Sequence, residues 1–199
     1  EIARVLDCTK PFEMGFTVQD ESGKRLYVCS AHFVRFRHIK DNPEEPSNGK
    51  ASRRIKCVVW DLDHTLWEGV LVESDPSQPY PPLRDGVKSV LQELDKRGIL
   101  LSVASKNTLE EAQHALEHHG LWSLFVVPQI NWNRKSESVG AIARELNIGL
   151  DTLAFVDDQS FERDEVQSVL RSVRTYDASA MLELLGKPEF SGDRNTSGP

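Results

Sequence analysis

Four short runs of apolar and β-branched residues recur along the second part of the chain. Turn-forming or polar residues follow each run directly. Continuous apolar runs of this length are typical of strands that are buried on both faces of a parallel sheet. The pattern therefore predicts four buried strands, at residues 55–60, 99–104, 124–127 and 153–156.

The segments between these strands show helical periodicity. After Asp85, apolar residues recur at positions 87, 90, 91 and 94, which is the spacing of one helix face. We also expect a fifth short strand near Val173 and a last helix at 181–185. Strands that alternate with helices predict a three-layer α/β/α sandwich around a Rossmann-like parallel sheet. The predicted N-terminal caps of four helices are Asp85, Thr108, Ser136 and Ser160.

The first part of the chain differs in pattern. Short β-like runs at 16–18 and 25–29 suggest a hairpin, and the Pro-containing, charged stretch at 41–52 is typical of a linker. The chain begins without Met, as expected of a domain taken from a longer protein. We therefore predict a β-rich N-terminal extension and linker at 1–50, a catalytic domain at 51–186 and a disordered tail at 187–199.

Composition excludes several classes of function. The net charge is −7 without a block of Lys or Arg, which argues against a nucleic-acid-binding surface. No apolar run approaches the roughly 20 residues of a membrane helix, so no membrane segment is expected. The three cysteines, Cys8, Cys29 and Cys57, lack the spacing of a zinc site or a disulfide framework. We expect a reduced, cytoplasmic protein.

Polar side chains follow the predicted strands in an ordered series. The carboxyl ends of parallel strands meet at one edge of a sheet, so these side chains are expected around one crevice. Carboxylates there suit a hard ion such as Mg²⁺, while a lysine and a hydroxyl suit the oxygens of a transferring phosphoryl group. Taken alone, the first carboxylate pair could also be an ordinary acidic turn. In chain order the candidates are Asp61 and Asp63, Ser105 and Asn107, Lys135, and Asp157 and Asp158.

This ordered set resembles the motifs of the haloacid dehalogenase (HAD) superfamily of Mg²⁺-dependent phosphotransferases, over roughly residues 54–176. The resemblance implies that Asp61 is the nucleophile and forms an aspartyl-phosphate. It implies that Asp63 is the general acid and then the general base. Asp61, the backbone carbonyl of Asp63 and Asp157 would bind Mg²⁺, and Asp158 would assist.

The same resemblance implies further roles beside the carboxylates. Ser105 and Lys135 would hold the phosphoryl group. We expect Thr65, His64 and Asn107, which lie next to these residues in the sequence, to contact substrate. Cys57 lies four residues before Asp61 and is predicted to be a core residue.

Four stretches are similar to a narrower group, the FkbH-like glyceryl transferase/phosphatases. Such enzymes divert 1,3-bisphosphoglycerate into polyketide biosynthesis by removing phosphate and loading the glyceryl group onto an acyl carrier protein. Two residues depart from the pattern, since His64 stands where relatives usually have Asn and Arg134 where Pro is common. The stretches are residues 57–71, 97–107, 128–132 and 155–166.

The segment at 68–84 is too short for a large cap domain, so we expect an open crevice that admits a pantetheine arm. The acyl transfer also needs a thiol, from the carrier or from Cys57, Cys29 or Cys8. Two alternatives stay open. One is a capless Mg²⁺-dependent phosphatase that acts on a protein phosphotyrosine or a sugar phosphate, and the other is an inactive docking domain of a synthase.

Overall fold

The computed structural model describes residues 54–71 and 80–191. These residues form a five-stranded sheet in which every neighbouring pair of strands is parallel. In spatial order the strands are β3 (Gln129–Ile130), β2 (Leu100–Ser105), β1 (Cys57–Trp60), β4 (Leu153–Asp157) and β5 (Arg174–Asp177).

Helices cover both faces of this sheet. Along β1, Val58 and Trp60 belong to one apolar cluster, whereas Cys57 and Val59 belong to the other. This division follows from the alternation of side chains along a strand. The helices are α1 (Val87–Lys96), α2 (Leu109–His118) and α5 (Met181–Leu184), which pack in the first cluster, and α3 (Lys135–Glu145) and α4 (Ser160–Val169), which pack in the second.

The predicted three-layer sandwich is therefore confirmed. The apolar face predicted for α1 is buried, and Cys57 is a fully buried core residue. No helix in the described ranges has the length and apolarity needed to span a membrane. The predictions for residues 1–50, including the hairpin and the linker, lie outside the described residues.

The third strand is displaced from its predicted position at 124–127. Trp122–Leu124 forms a 3₁₀ turn, Phe125 makes a single bridge to Leu101, and Val127 has a φ of 50°. The strand that pairs with β2 is Gln129–Ile130. Of this run only Phe125 is buried. The prediction was wrong because an apolar run that is only partly buried at the edge of a sheet does not require an extended backbone.

Three of the four predicted helix caps are also wrong. The residue before α1 is Gly86 rather than Asp85, and the residue before α4 is Gln159 rather than Ser160. α3 begins at Lys135, so Ser136 lies inside the helix, where its Oγ donates to Glu165 Oε1 at 2.6 Å. Thr108 does precede α2, although its side chain makes no capping hydrogen bond. The shift at α3 matters because it places Lys135 in the first helical turn.

The chain ends of the domain also differ from the predictions. After β1, an antiparallel bridge joins Trp67 to Leu83. The predicted disordered tail at 187–199 is wrong for its first residues, because Pro188–Phe190 forms a 3₁₀ turn with Phe190 fully buried. The backbone N–H of Ile55 donates to the Glu189 carbonyl at 2.8 Å, which ties this turn to the start of β1. The rest of the predicted tail lies outside the described residues.

Candidate active site

The register of the three central strands determines which side chains meet at their carboxyl ends. Trp60 of β1 pairs with Val103 of β2 on one side and with Val156 of β4 on the other. The N–H of Asp61 extends the pairing to β4 by donating to the Val156 carbonyl at 2.9 Å. Asp61 therefore lies beside Asp157, although 96 residues of sequence separate them.

Lys135 connects the ends of the three strands. Its Nζ donates to Asp61 Oδ1 at 2.5 Å, to Asp157 Oδ2 at 3.0 Å and to the Ala104 carbonyl at 2.9 Å. The lysine is 4% exposed, and the two aspartates are 6% and 1% exposed. Such a buried ammonium is stable only when charged or strongly dipolar acceptors surround it.

Asp61, Asp157 and Asp158 form an acid cluster whose ligand atoms all lie within 4.8 Å of one another. Thr65 holds the third member, since the Asp158 N–H donates to Thr65 Oγ1 at 3.2 Å. Three carboxylates and one ammonium leave two negative charges, which a divalent cation would balance. An all-oxygen donor set of this kind fits a hard ion such as Mg²⁺.

Burial and charge act in opposite directions on the titration of these groups. Burial raises the pKa of Asp61 to about 6, although the Lys135 charge acts to lower it. Burial likewise raises the pKa of Asp157. For Lys135, burial acts to lower the pKa, but the charges of Asp61 and Asp157 outweigh it and the pKa is raised. The ammonium therefore remains protonated between its two carboxylates.

The side chain of Asp63 does not belong to the acid cluster and is held by three donors. Its Oδ1 accepts hydrogen bonds from Trp67 Nε1 at 2.8 Å and from the Leu71 N–H at 3.1 Å. Its Oδ2 accepts from Asn107 Nδ2 at 3.1 Å. Asp63, predicted as an acid–base residue and, through its carbonyl, as a metal ligand, thus has a fixed carboxylate at the edge of the site.

Asn107 joins Asp63 to Ser105. Its Nδ2 also donates to Ser105 Oγ at 3.2 Å, and the asparagine is only 2% exposed. Its Oδ1 is buried and has no hydrogen-bond partner among the described residues. The structure thus places Asn107, expected to contact substrate, as a buried link between two predicted catalytic residues.

The other two predicted substrate contacts, Thr65 and His64, have different environments. Thr65 is fully buried, and its Oγ1 accepts from the Asp158 N–H at 3.2 Å and donates to Asp158 Oδ1 at 3.5 Å, so its hydroxyl orients that carboxylate. His64 is exposed and occupies the left-handed region, with a φ of 53°. Its N–H donates to the Gly69 carbonyl at 3.1 Å, and its own carbonyl accepts from Arg84 Nη1 at 2.8 Å.

Sequence reasoning did not identify every residue that supports the site. Trp67 is not among the predicted site residues, yet its indole N–H donates to Asp63, and the i, i+4 spacing of the pair was the available signal. Arg163 also lies outside the predicted set. Its Nη1 donates to the Asp157 carbonyl at 2.7 Å, and its Nη2 pairs with Asp177 at 2.8 Å. No sequence signal linked Arg163 to these two residues.

Comparisons with known proteins agree with this geometry. A family model described as haloacid dehalogenase-like hydrolase matches residues 71–168. The N-terminal part of a Bacteroides fragilis protein, which contains a phosphatase domain and was solved in complex with Mg, is similar at 29% identity with a TM-score of 0.57. That match covers 66% of this chain but only 39% of the Bacteroides chain. A comparison with curated proteins finds no match.

More distant structures support the fold. A HAD-superfamily hydrolase of subfamily IA from Geobacter sulfurreducens has a TM-score of 0.50 at 13% identity, over 66% of this chain and 100% of its own. An uncharacterized Listeria monocytogenes protein has a TM-score of 0.52 at 17% identity, over 73% and 85%. The matched family, the shared fold and the acid cluster at the carboxyl ends of the strands agree, and the chain therefore contains a haloacid dehalogenase-like hydrolase domain.

Proposed function

We propose that this domain is a Mg²⁺-dependent phosphotransferase that works through an aspartyl-phosphate on Asp61. The observation that carries the proposal is the position of Asp61, held by Lys135 within the acid cluster and next to the clamped carboxylate of Asp63. The similarity to the Mg-bound phosphatase domain from Bacteroides fragilis supports the choice of metal and reaction.

The residues of the chain can be assigned to two chemical steps. In the first, an Asp61 oxygen attacks phosphorus, the bond from phosphorus to the leaving oxygen breaks, and Asp63 donates a proton to that oxygen. In the second, Asp63 removes a proton from water, whose oxygen attacks phosphorus and releases phosphate from Asp61. Ser105 donates a hydrogen bond to a phosphoryl oxygen, and the Lys135 ammonium, whose three donors already hold Asp61, Asp157 and the Ala104 carbonyl, offsets the phosphoryl charge. Mg²⁺, held by Asp61, Asp157 and Asp158, would offset the negative charge of the phosphoryl group.

Phosphate release from small phosphomonoesters, with and without Mg²⁺, tests this proposal. Asp61→Asn removes the nucleophile with little change in shape, so we expect it to abolish release while the circular dichroism spectrum stays unchanged. Asp164→Asn is the matched control, since Asp164 is an exposed aspartate of α4. Full activity in Asp61→Asn, or turnover without a divalent metal, would overturn the proposal.

We further propose that the physiological substrate is 1,3-bisphosphoglycerate and that the glyceryl group is loaded onto an acyl carrier protein in polyketide biosynthesis. The similarity of four sequence stretches to the FkbH-like group supports this substrate and this partner. The segment at 68–84 is too short for a large cap domain, which supports a protein-borne arm. The described ends of this segment lie side by side, since the Glu68 N–H donates to the Pro82 carbonyl at 2.9 Å. Trp132 and Phe161, which are 70% and 71% exposed on segments adjoining the site, offer apolar contacts to a carrier.

The acyl transfer requires a thiolate that attacks the carbonyl carbon of the acyl phosphate. A carbon–sulfur bond forms, the bond from carbon to the phosphate oxygen breaks, and phosphate leaves with the bonding electrons. Cys57 is 0% exposed and therefore does not supply this thiol in the folded domain. We assign the thiol to the pantetheine arm of the carrier, acting directly or after a transient thioester on Cys8 or Cys29.

Incubation with 1,3-bisphosphoglycerate, Mg²⁺ and a panel of carrier proteins separates the alternatives by intact-protein mass spectrometry. A glyceryl thioester on a carrier supports the transferase. Phosphate release without loading selects a plain capless phosphatase, and neither product selects an inactive docking domain. A glyceryl adduct on the enzyme that disappears in the Cys8→Ala or Cys29→Ala variant would identify an enzyme thiol.

A further inference from the structure

A cavity of about 330 Å³ lies at the same edge of the sheet as the acid cluster and shares Asp158 with it. Its walls come from the turn after Asp63, from Arg84, and from the residues that follow β4 and β5. The volume is at the lower end of the range for small-molecule sites. The cavity is therefore adjacent to the proposed phosphoryl site and separate from it.

Arg84 and His64 supply the positive and hydrogen-bonding groups of this cavity. A guanidinium has five N–H donors, and within the described ranges the Arg84 side chain makes one hydrogen bond, to the His64 carbonyl at 2.8 Å. The left-handed backbone of His64 is unusual for a residue other than Gly, Asn or Asp. Arg84 thus fixes the turn that presents the exposed imidazole and keeps donors for a ligand.

Three carboxylates also line the cavity, and their surroundings differ. Asp177 pairs with Arg163 at 2.8 Å, and hydrogen bonds from Ser179 help to lower the pKa of Asp177. Asp158 belongs to the acid cluster, whose excess negative charge a divalent cation would balance. Glu68 is exposed, and within the described ranges it belongs neither to an ion pair nor to the acid cluster. With the cation bound, the local charge therefore depends mainly on Arg84 and Glu68.

We propose that this cavity, the Arg84 pocket, binds a second anionic oxygen group, a carboxylate or a phosphate, on the molecule whose phosphoryl group meets Asp61. The inference rests on the proposed function, since it assigns the part of the substrate that does not react. Arginine recognises such groups through two parallel hydrogen bonds, which gives both affinity and orientation. Glu68 opposes the same ligand by charge repulsion.

Calorimetric titration in Mg²⁺ buffer tests the Arg84 pocket without turnover. The Asp61→Asn domain is titrated with 3-phosphoglycerate, which has a second anionic group, and with sn-glycerol 3-phosphate, which lacks one. We expect 3-phosphoglycerate to bind about tenfold more tightly, the ratio typical of one charge-assisted hydrogen bond. Adding Arg84→Gln should remove this preference, and adding Glu68→Gln should increase it severalfold.

Three results would overturn the inference. They are equal affinities for the two ligands, a lack of binding by either ligand, and a preference that survives Arg84→Gln. The third includes an equal loss of affinity for both ligands, because that loss reflects a loosened turn rather than recognition. Mg²⁺-dependent hydrolysis of p-nitrophenyl phosphate by the unmodified domain tests the proposed function separately. Failure of the Arg84 pocket can therefore be distinguished from failure of the proposed function.

Discussion

Replacing Lys135 by Met tests whether one ammonium holds the site together. The substitution keeps an unbranched side chain of similar length but removes the donors to Asp61, Asp157 and the Ala104 carbonyl. Both carboxylates are at least nine-tenths buried and would then face each other without an intervening cation. We expect this variant to be strongly destabilised in metal-free buffer.

The magnitude follows from the burial of the partners. Removing one member of a buried ion pair typically costs about 3 to 5 kcal/mol, because the remaining charge loses its compensation. Proton uptake limits this cost, since burial already raises the pKa values of Asp61 and Asp157. Loss of the lysine raises both pKa values further. A carboxyl group whose pKa is raised in the folded state makes the folded domain less stable as pH rises through that pKa. We therefore expect a loss of about 3 kcal/mol at pH 8 and a smaller loss at pH 5.5.

Urea unfolding of the unmodified domain and of Lys135→Met, with EDTA and with excess Mg²⁺, measures this loss. Lys106→Met is the matched control, because the Lys106–Glu162 pair is also short, at 2.6 Å, but the lysine side chain is 38% exposed. An ion pair that exposed is worth about 1 kcal/mol or less. A cation that binds the folded acid cluster should stabilise Lys135→Met more than the unmodified domain, since it replaces the missing charge.

The reasoning is refuted if Lys135→Met loses no more stability than Lys106→Met in EDTA. It is also refuted if Mg²⁺ stabilises the unmodified domain and Lys135→Met equally. Either result would mean that the ammonium does not neutralise Asp61 and Asp157 in the folded state.

Three further variants test separate parts of the site. Thr65→Val removes the hydroxyl that orients Asp158, so the Mg²⁺ concentration for half-maximal phosphate release should rise about tenfold. An unchanged Mg²⁺ concentration would contradict this role. Trp67→Phe removes one donor to Asp63, so turnover should become more sensitive to the leaving group. The measurement is the dependence of kcat/KM on leaving-group pKa across aryl phosphates, which should become steeper. Cys57→Ala should cost about 1 kcal/mol in urea unfolding and leave phosphate release per folded molecule unchanged, whereas lost release would implicate the thiol.

The sequence could predict that the candidate residues lie close together, because their proximity follows from the topology of the sheet. Runs such as 55–60 and 153–156 are apolar on both faces, so they predict parallel strands. The ends of parallel strands meet at one edge, which brings Asp61 near Asp157 without any knowledge of side-chain contacts. This inference needs only the order of the elements and tolerates errors of a few residues at their boundaries.

The misplaced third strand and helix starts have a different origin. At the edge of the sheet, β3 pairs through two residues only, and local sequence does not determine which two. At α3, Ser136 satisfies the rule for a cap, but its hydroxyl bonds to Glu165 of the neighbouring helix. Tertiary partners therefore determine these boundaries, and such partners are distant in sequence.

The hydrogen-bond partners of Asp63 could not be predicted for the same reason. Its carboxylate accepts from Trp67, from the Leu71 N–H and from Asn107, which is 44 residues away. Asn107 reaches Asp63 because the folded sheet brings the ends of β1 and β2 together.

Charge balance explains why the site draws on several strand ends. In the proposed reaction, a carboxylate nucleophile and a phosphoryl dianion repel each other, so Asp61 could attack only if nearby positive charge offset both. Lys135 supplies one charge from the first turn of α3, and the acid cluster is matched to a divalent cation that would supply two more. Lys135 is 74 residues from Asp61 in the sequence and reaches it through the fold. The proposed reaction therefore requires the folded sheet, and the Asp61–Asp63 motif alone would not support it.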